Sequence, residues 1–186
     1  MNDKIILAVV GLPGSGKTEA INYLMEKYKW PKVYFGDVTF DEMKIRGLDI
    51  NEKNEKFVRE DLRKLYGQLH YAKKVIEKIK NLKEVRKILV ESLYSWEEYL
   101  EFKKEFGADF KVLAVYSSPN TRIKRLGNRP HRPLTEAEVT SRDYSQIENL
   151  HQGGPIARAD FTIINEGEKD ELCSGIDRVI SELQLK

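Results

Sequence analysis

Cysteine is almost missing from this chain. Cys173 stands alone among 186 residues, so no intrachain disulfide can form and no cysteine-based zinc site is expected. On the last helix that thiol reads as a small half-buried side chain. Long apolar runs are missing too, and nothing approaches the ~20 residues that span a bilayer. Met1 to Lys4 lead straight into the first strand, without the apolar core of a secretory signal. A cytoplasmic protein with no membrane partner is therefore expected. A charge excess is the third absence: 32 Lys and Arg stand against 30 Asp and Glu, for a net charge of +2. That gives no overall field to attract nucleic acid, which is not expected as a partner. There is no repeat, low-complexity tract or linker, and the length suits one domain with a sizeable core.

The stretch that organises the rest is Gly11-Leu12-Pro13-Gly14-Ser15-Gly16-Lys17-Thr18, which fits G-x-x-x-x-G-K-[ST]. An apolar run over 5–10 precedes it and reads as a buried parallel strand; a helix-forming segment over 18–28 follows. Glycines let the main chain turn sharply, so that successive N–H groups face an anion, and the helix adds its positive end. Lys17 is placed to reach the β- and γ-phosphates of a nucleoside triphosphate, and the Thr18 hydroxyl to ligate Mg2+. ATP and Mg2+ are the expected cofactors. Gly11, Pro13, Gly14, Ser15, Gly16, Lys17, Thr18 and Glu19 form the expected donor contacts.

A short strand over 32–35 ends at Gly36-Asp37. Asp37 could take a proton from an attacking hydroxyl or hold a water on Mg2+; it could equally cap the helix expected from Val38. From Asn51 to Asn81 runs one long helical signal, with an apolar seam of Val58, Leu62, Leu65, Leu69, Ala72, Ile76 and Ile79. Beside it lie Arg59, Arg63, Tyr66, His70 and Lys73, either a solvated stripe or, through the arginines, the border of an anion-binding cleft. Gly67 inside this signal costs ~1 kcal/mol against Ala and is a place to bend. A buried strand over 87–91 ends in Glu91, which could organise Mg2+ through water or be an ordinary strand-end acid. Ser95 and Glu98 form a capping box, and Gly107 stops the helix they open.

A third strand covers 110–116, and Ser118-Pro119 opens the next helix. No acid occurs from Phe110 to Thr135, whereas Lys111, Arg122, Lys124, Arg125, Arg129 and Arg132 do. Such a basic, helix-breaking stretch suits a mobile lid whose arginines clamp a triphosphate; the alternative is an exposed loop without function. Thr135 and Glu138 make another capping box, on a helix carrying Arg142-Asp143. Gly153-Gly154-Pro155 reads as a tight turn, 159–165 as the last strand, and 169–185 as the last helix. Strands alternating with helices predict an α/β fold with a parallel sheet covered on both faces.

With these segments laid out, the chain resembles the nucleoside-monophosphate-kinase superfamily, and within it the dephospho-CoA-kinase-like, adenylate-kinase-related group known chiefly from archaea. The matching segments are GLPGSGKTEA at 11–20, GDV at 36–38, RGL at 46–48, LRKLYG at 62–67, SPNTRIKRLGNR at 118–129, Arg142-Asp143, and ADFTIINEG at 159–167. The resemblance implies a three-layer P-loop fold on a five-stranded parallel sheet. Its core would cover 1–37, 86–127 and 151–186, with a helical acceptor-binding insertion over 38–85 and a lid over 128–150. Arg125 would lie over the adenine or its ribose, with Asn165 near the adenine pocket. Arg129 and Arg142 would meet the phosphates, and Asp37 would activate an acceptor hydroxyl.

The chain departs from that pattern on the acceptor side. Relatives of adenylate kinase carry arginines where this chain has Phe40 and, after the third-strand acid, Glu91-Ser92-Leu93-Tyr94. Two charge-assisted contacts to an acceptor phosphate, each worth ~1.5–3 kcal/mol, are thereby lost unless Arg59 or Arg63 replaces them. The lid reads His131-Arg132-Pro133-Leu134 in place of paired aspartates. The expected activity is transfer of the γ-phosphoryl group of ATP to a nucleotide or nucleotide-like small molecule, of nucleoside-monophosphate or dephospho-CoA type. The expected catalytic set is Lys17, Asp37, Arg129 and Arg142; the metal set is Thr18, Asp37 and Glu91; the acceptor set is Phe40, Arg59, Arg63 and Tyr94. The alternative is a nucleotide-binding regulator or slow ATPase whose acceptor site is degenerate.

Overall fold

The structure is a computed structural model that describes residues 4–130 and 132–184. Five strands, β1 (Ile5–Val10), β2 (Lys32–Tyr34), β3 (Lys87–Glu91), β4 (Phe110–Tyr116) and β5 (Phe161–Ile164), form one sheet in the order β2-β3-β1-β4-β5. Every pairing is parallel: Val9 faces Glu91 on one side of β1 and Leu113 on the other. Parallel neighbours cannot be joined by a hairpin, so each return runs through helix.

Alternate residues of the strands feed two separate cores. Ile6, Ala8, Val10, Ile88, Val90, Val112 and Ala114 point to one face. There they meet α2 (Gly36–Ile45), α3 (Glu52–Tyr66), α4 (His70–Asn81) and α5 (Trp96–Phe106). Leu7, Val9, Leu89, Leu113 and Val115 point to the other face, onto α1 (Lys17–Tyr28) and α9 (Lys169–Gln184). This is the three-layer arrangement the alternating segments predict. Both capping boxes form, at Ser95–Glu98 and Thr135–Glu138, and Ser118 caps α6 (Pro119–Gly127) with Pro119 in the first turn. Cys173 is half-buried on α9, as expected.

Three local expectations need correction. The single helical signal over 51–81 is two helices, because Gly67 adopts φ 85°, ψ 170°, a backbone state that only glycine takes at low cost. The seam consequently loses a member: Val58, Leu62, Ala72, Ile76 and Ile79 are buried, while Leu65 is 60% exposed. Gly153-Gly154-Pro155 is not the tight turn expected but the start of a short helix, α8 (Gly153–Ala157). It is pressed so closely on Trp96 that a Cβ at Gly154 would lie 2.6 Å from the indole. Finally, α2 begins at Gly36, so Asp37 sits in its first turn and Phe35 occupies the cap position. Residue 185, assigned to the last helix, and His131 lie outside the described residues.

Candidate functional site

The Gly11–Thr18 loop leaves the C-terminal end of β1, the central strand. From there the chain first builds β2 and β3 on one side, then crosses to β4 and β5 on the other. Open α/β sheets take ligands in the crevice at such a reversal. Gly11, Gly14 and Gly16 have φ of 146°, 80° and 103°. At Gly11 a Cβ would fall 2.3 Å from the Val115 carbonyl, and at Gly16 it would fall 2.3 Å from Asn165 Nδ2. Curvature therefore requires all three glycines, and closeness to β4 and to Asn165 requires Gly11 and Gly16 a second time. Ser15 Oγ is buried in this loop with no hydrogen-bond partner among the described residues.

Lys17 opens α1, and its Nζ donates to Leu12 O at 3.0 Å. Its pKa is lowered to about 8, first by burial and then by the charges of Arg122 and Arg129, with Glu91 opposing them. An ammonium kept in that field gains strongly from an arriving polyanion. Arg129, exposed at the end of α6, and Glu91, at the end of β3, are thus both brought near Lys17. Glu91 is also bound to Lys32 at 2.6 Å. Thr18 is exposed in the first turn of α1. Glu19, beside it, pairs with Lys169 of α9 at 2.9 Å.

The other expected donor residues interact with groups of the protein itself. Arg125 donates to Ser117 Oγ at 2.9 Å and to the carbonyls of Asn165 and Gly167 at 3.0 Å each. Asn165 is buried and donates Nδ2 to Ser15 O at 2.8 Å. Arg142 is exposed on α7 (Glu136–Tyr144), where its charge helps hold the Glu138 carboxyl below the usual range, after the hydrogen bonds from Thr135.

Tyr34, Phe40, Asp37, Glu91 and Tyr94 gather where β2 and β3 end. The Tyr34 ring covers Gly36 so tightly that a Cβ there would lie 2.2 Å from it, and it meets Phe40 at 6.4 Å. The Tyr34 hydroxyl is pushed up in pKa by burial and then by Tyr94, Glu91, Glu55 and Asp37 around it. Tyr94 donates its hydroxyl to Ser92 Oγ at 3.0 Å. Arg63 stacks over Tyr71 at 5.1 Å, and Arg59, half-buried on the same helix, also reaches Tyr71 electrostatically.

Three residues that touch the loop or its supports are not read that way from sequence: Arg122, counted there only among the basic lid residues, Asp143, and Gln152. The Arg122 guanidinium is 3% exposed, grips both carboxylate oxygens of Asp143 at 2.7 and 2.6 Å, and donates to Ser117 O at 3.1 Å. Gln152, wholly buried, donates Nε2 to Gly11 O at 3.1 Å. For the first pair the sequence offers one of three basic residues on α6 and an acid on α7, with nothing to single out Arg122 from Lys124 and Arg125. Nothing in the sequence marks Gln152.

Similar proteins fix the family. UPF0200 proteins of Thermococcus kodakarensis and Pyrococcus furiosus are 30% and 35% identical to this chain. Their alignments cover 98% and 95% of it, and 100% and 96% of those proteins. The chain belongs to the UPF0200 family. A family model described as an AAA domain also matches residues 10–142. Among solved structures, shikimate kinase from Bacteroides thetaiotaomicron superposes with a TM-score of 0.61 at 12% identity, over 97% of this chain and 98% of that one. A gluconokinase from Sinorhizobium meliloti gives 0.60 at 12%, over 100% and 98%. The UPF0200 chain thus has the P-loop kinase fold, and the resemblance to an archaeal P-loop kinase-like group holds. Among the described residues no helix is long and apolar enough to cross a membrane.

Proposed function

We propose that the chain is a cytoplasmic ATP-dependent phosphotransferase acting on a nucleotide or nucleotide-like small molecule. The observation that carries this reading is the Gly11–Thr18 loop with the Lys17 ammonium held beside Arg122 and Arg129. Residues 38–85 would serve as the acceptor-binding insertion and 128–150 as the lid. Among the described residues no group of three or more His, Cys, Asp or Glu could hold a metal. That suits Mg2+ arriving on the nucleotide with few protein ligands: the Thr18 hydroxyl, with Asp37 and Glu91 through water. When bound, the ion neutralises charge on the β- and γ-phosphate oxygens.

In transfer, the acceptor oxygen forms a bond to the γ-phosphorus as the bond to the β-bridging oxygen breaks, and ADP leaves. Lys17 and Arg129 stabilise the oxygens where charge gathers, with Arg142 joining from the lid. Arg125 and Asn165 border the base and ribose. For a hydroxyl acceptor, Asp37 takes the proton; Phe40, Tyr94, Arg59 and Arg63 surround the acceptor itself. Phosphoryl transfer from ATP to nucleoside monophosphates, nucleosides and dephospho-CoA tests this reading, and activity on none of them refutes it. Asp37→Asn separates the acceptor classes: loss of at least ~100-fold in rate is expected for a hydroxyl acceptor, and substantial activity is retained for a phosphate. A second reading, a nucleotide-binding regulator or slow ATPase, is favoured by the pairing of Lys32 with Glu91 and the stacking of Arg63 on Tyr71, which leave the acceptor side less cationic. It predicts ATP binding with no acceptor-stimulated turnover.

A further inference from the structure

The carbonyls of the phosphate loop are held in an alternating pattern. Gly11 O accepts from Gln152 Nε2 at 3.1 Å, Pro13 O from Arg122 Nη1 at 3.4 Å, and Ser15 O from Asn165 Nδ2 at 2.8 Å. Leu12 O, between the first two, accepts from Lys17 Nζ instead. No described peptide bond is cis, and across a trans peptide the C=O and the following N–H point in opposite directions. Each side chain that holds an odd-numbered carbonyl therefore turns the next N–H, of Leu12, Gly14 or Gly16, away from itself. Anion nests are lined by backbone N–H groups, and here every second one of the loop has its direction set by a side chain behind it.

We propose that Gln152, together with Arg122 and Asn165, positions the loop's N–H groups for an oligophosphate before any ligand arrives, and that Gln152 makes the segment after α7 a determinant of donor affinity. The proposal rests on the donor reading above. Gln152 is suited to the task. A carbonyl can only accept, so the amide must present its NH2 to Gly11. The side chain is 0% exposed, and its backbone is fixed by a bond from Gln152 N to Gln146 O at 3.0 Å. The packing of Gly154 on Trp96 anchors the following residues to α5. Arg122 is likewise held from behind by Asp143. Because the Gln152 amide is neutral, its hold on Gly11 does not titrate, unlike a lysine or carboxylate there.

The test is Gln152→Met, which keeps the length of the side chain and removes the donor, alongside Gln152→Asn, which keeps the amide but withdraws it by one methylene. Two readouts are needed: calorimetric affinity for inorganic tripolyphosphate with Mg2+, which reports the loop without base or ribose, and the NMR resonances of the Gly11 carbonyl and Leu12 amide in ligand-free protein. Binding about three- to ten-fold weaker is expected in both variants, with the two resonances displaced and those of β5 unmoved. A folded variant with wild-type tripolyphosphate affinity, or with unmoved Gly11 and Leu12 resonances, overturns the proposal. Wild-type protein that binds no tripolyphosphate refutes the donor reading, and the ligand-free resonances then decide the role of Gln152 by themselves.

Discussion

Removing the carboxylate of Asp143 should be among the most damaging single changes outside the apolar core. Arg122 is 3% exposed, and Asp143 supplies both of its charge-assisted bonds, at 2.7 and 2.6 Å. In Asp143→Ala the guanidinium keeps only the Ser117 and Pro13 carbonyls. A buried charge stripped of its partner costs ~3–5 kcal/mol. For a chain of this size each kcal/mol lowers Tm by ~2–4 °C, so a fall of ~6–20 °C is expected in a thermal unfolding scan. The exposed Lys74–Glu77 pair, at 3.3 Å, is the control; Glu77→Ala should cost no more than ~1 kcal/mol. The double variant Arg122→Met, Asp143→Leu replaces the ion pair by apolar groups of similar size and should recover most of the stability. It should not recover nucleotide affinity, since Pro13 O loses its donor. An Asp143→Ala protein melting within about 2 °C of wild type would refute the argument that this pair is electrostatically closed.

Two further outcomes follow from the loop. Gly16→Ala must place a Cβ at φ 103°, 2.3 Å from Asn165 Nδ2; a cost of ~1–3 kcal/mol and at least ten-fold weaker Mg-ATP binding are expected, and wild-type calorimetry would contradict the geometry. Lys17 has a folded pKa of about 8 against an ordinary value of 10.5. From pH 8 to 10.5 the unfolded chain therefore binds more protons at this residue, and its contribution to stability rises with pH across that window. For the same reason, polyphosphate binding above pH 8 should draw in a proton. Calorimetric enthalpies at pH 8.5 in buffers of differing ionisation heat check this; independence of buffer would refute it.

Much of the fold is written locally. The strands announce themselves as apolar runs, Ser95–Glu98 and Thr135–Glu138 close their boxes within four residues, and the loop's residues must be contiguous to wrap a phosphate. What could not be read depends on contacts between distant segments. The apolar spacing from Val58 to Ile79 continues across Gly67, and nothing in the spacing tells a bend from a break; the φ of 85° decides it. Arg122 is one of several basic residues in a stretch without acids, and its partner Asp143 lies beyond two prolines. Arg125, the more conspicuous neighbour, turns to Ser117, Asn165 and Gly167. Gln152 carries no charge and no motif, and becomes informative only when its amide is seen against Gly11.

Chain order around β1 has an evolutionary consequence. The side chains that grip the loop come from residues 117 to 165, whereas Tyr34, Phe40, Arg59, Arg63 and Tyr94 come from one uninterrupted span of the gene between β2 and α5. Under the proposed function, recombination or drift confined to that span would exchange one client molecule for another while Arg122, Gln152 and Asn165, which hold the loop, are inherited apart from it. Only Asp37 and Glu91 would answer to both halves.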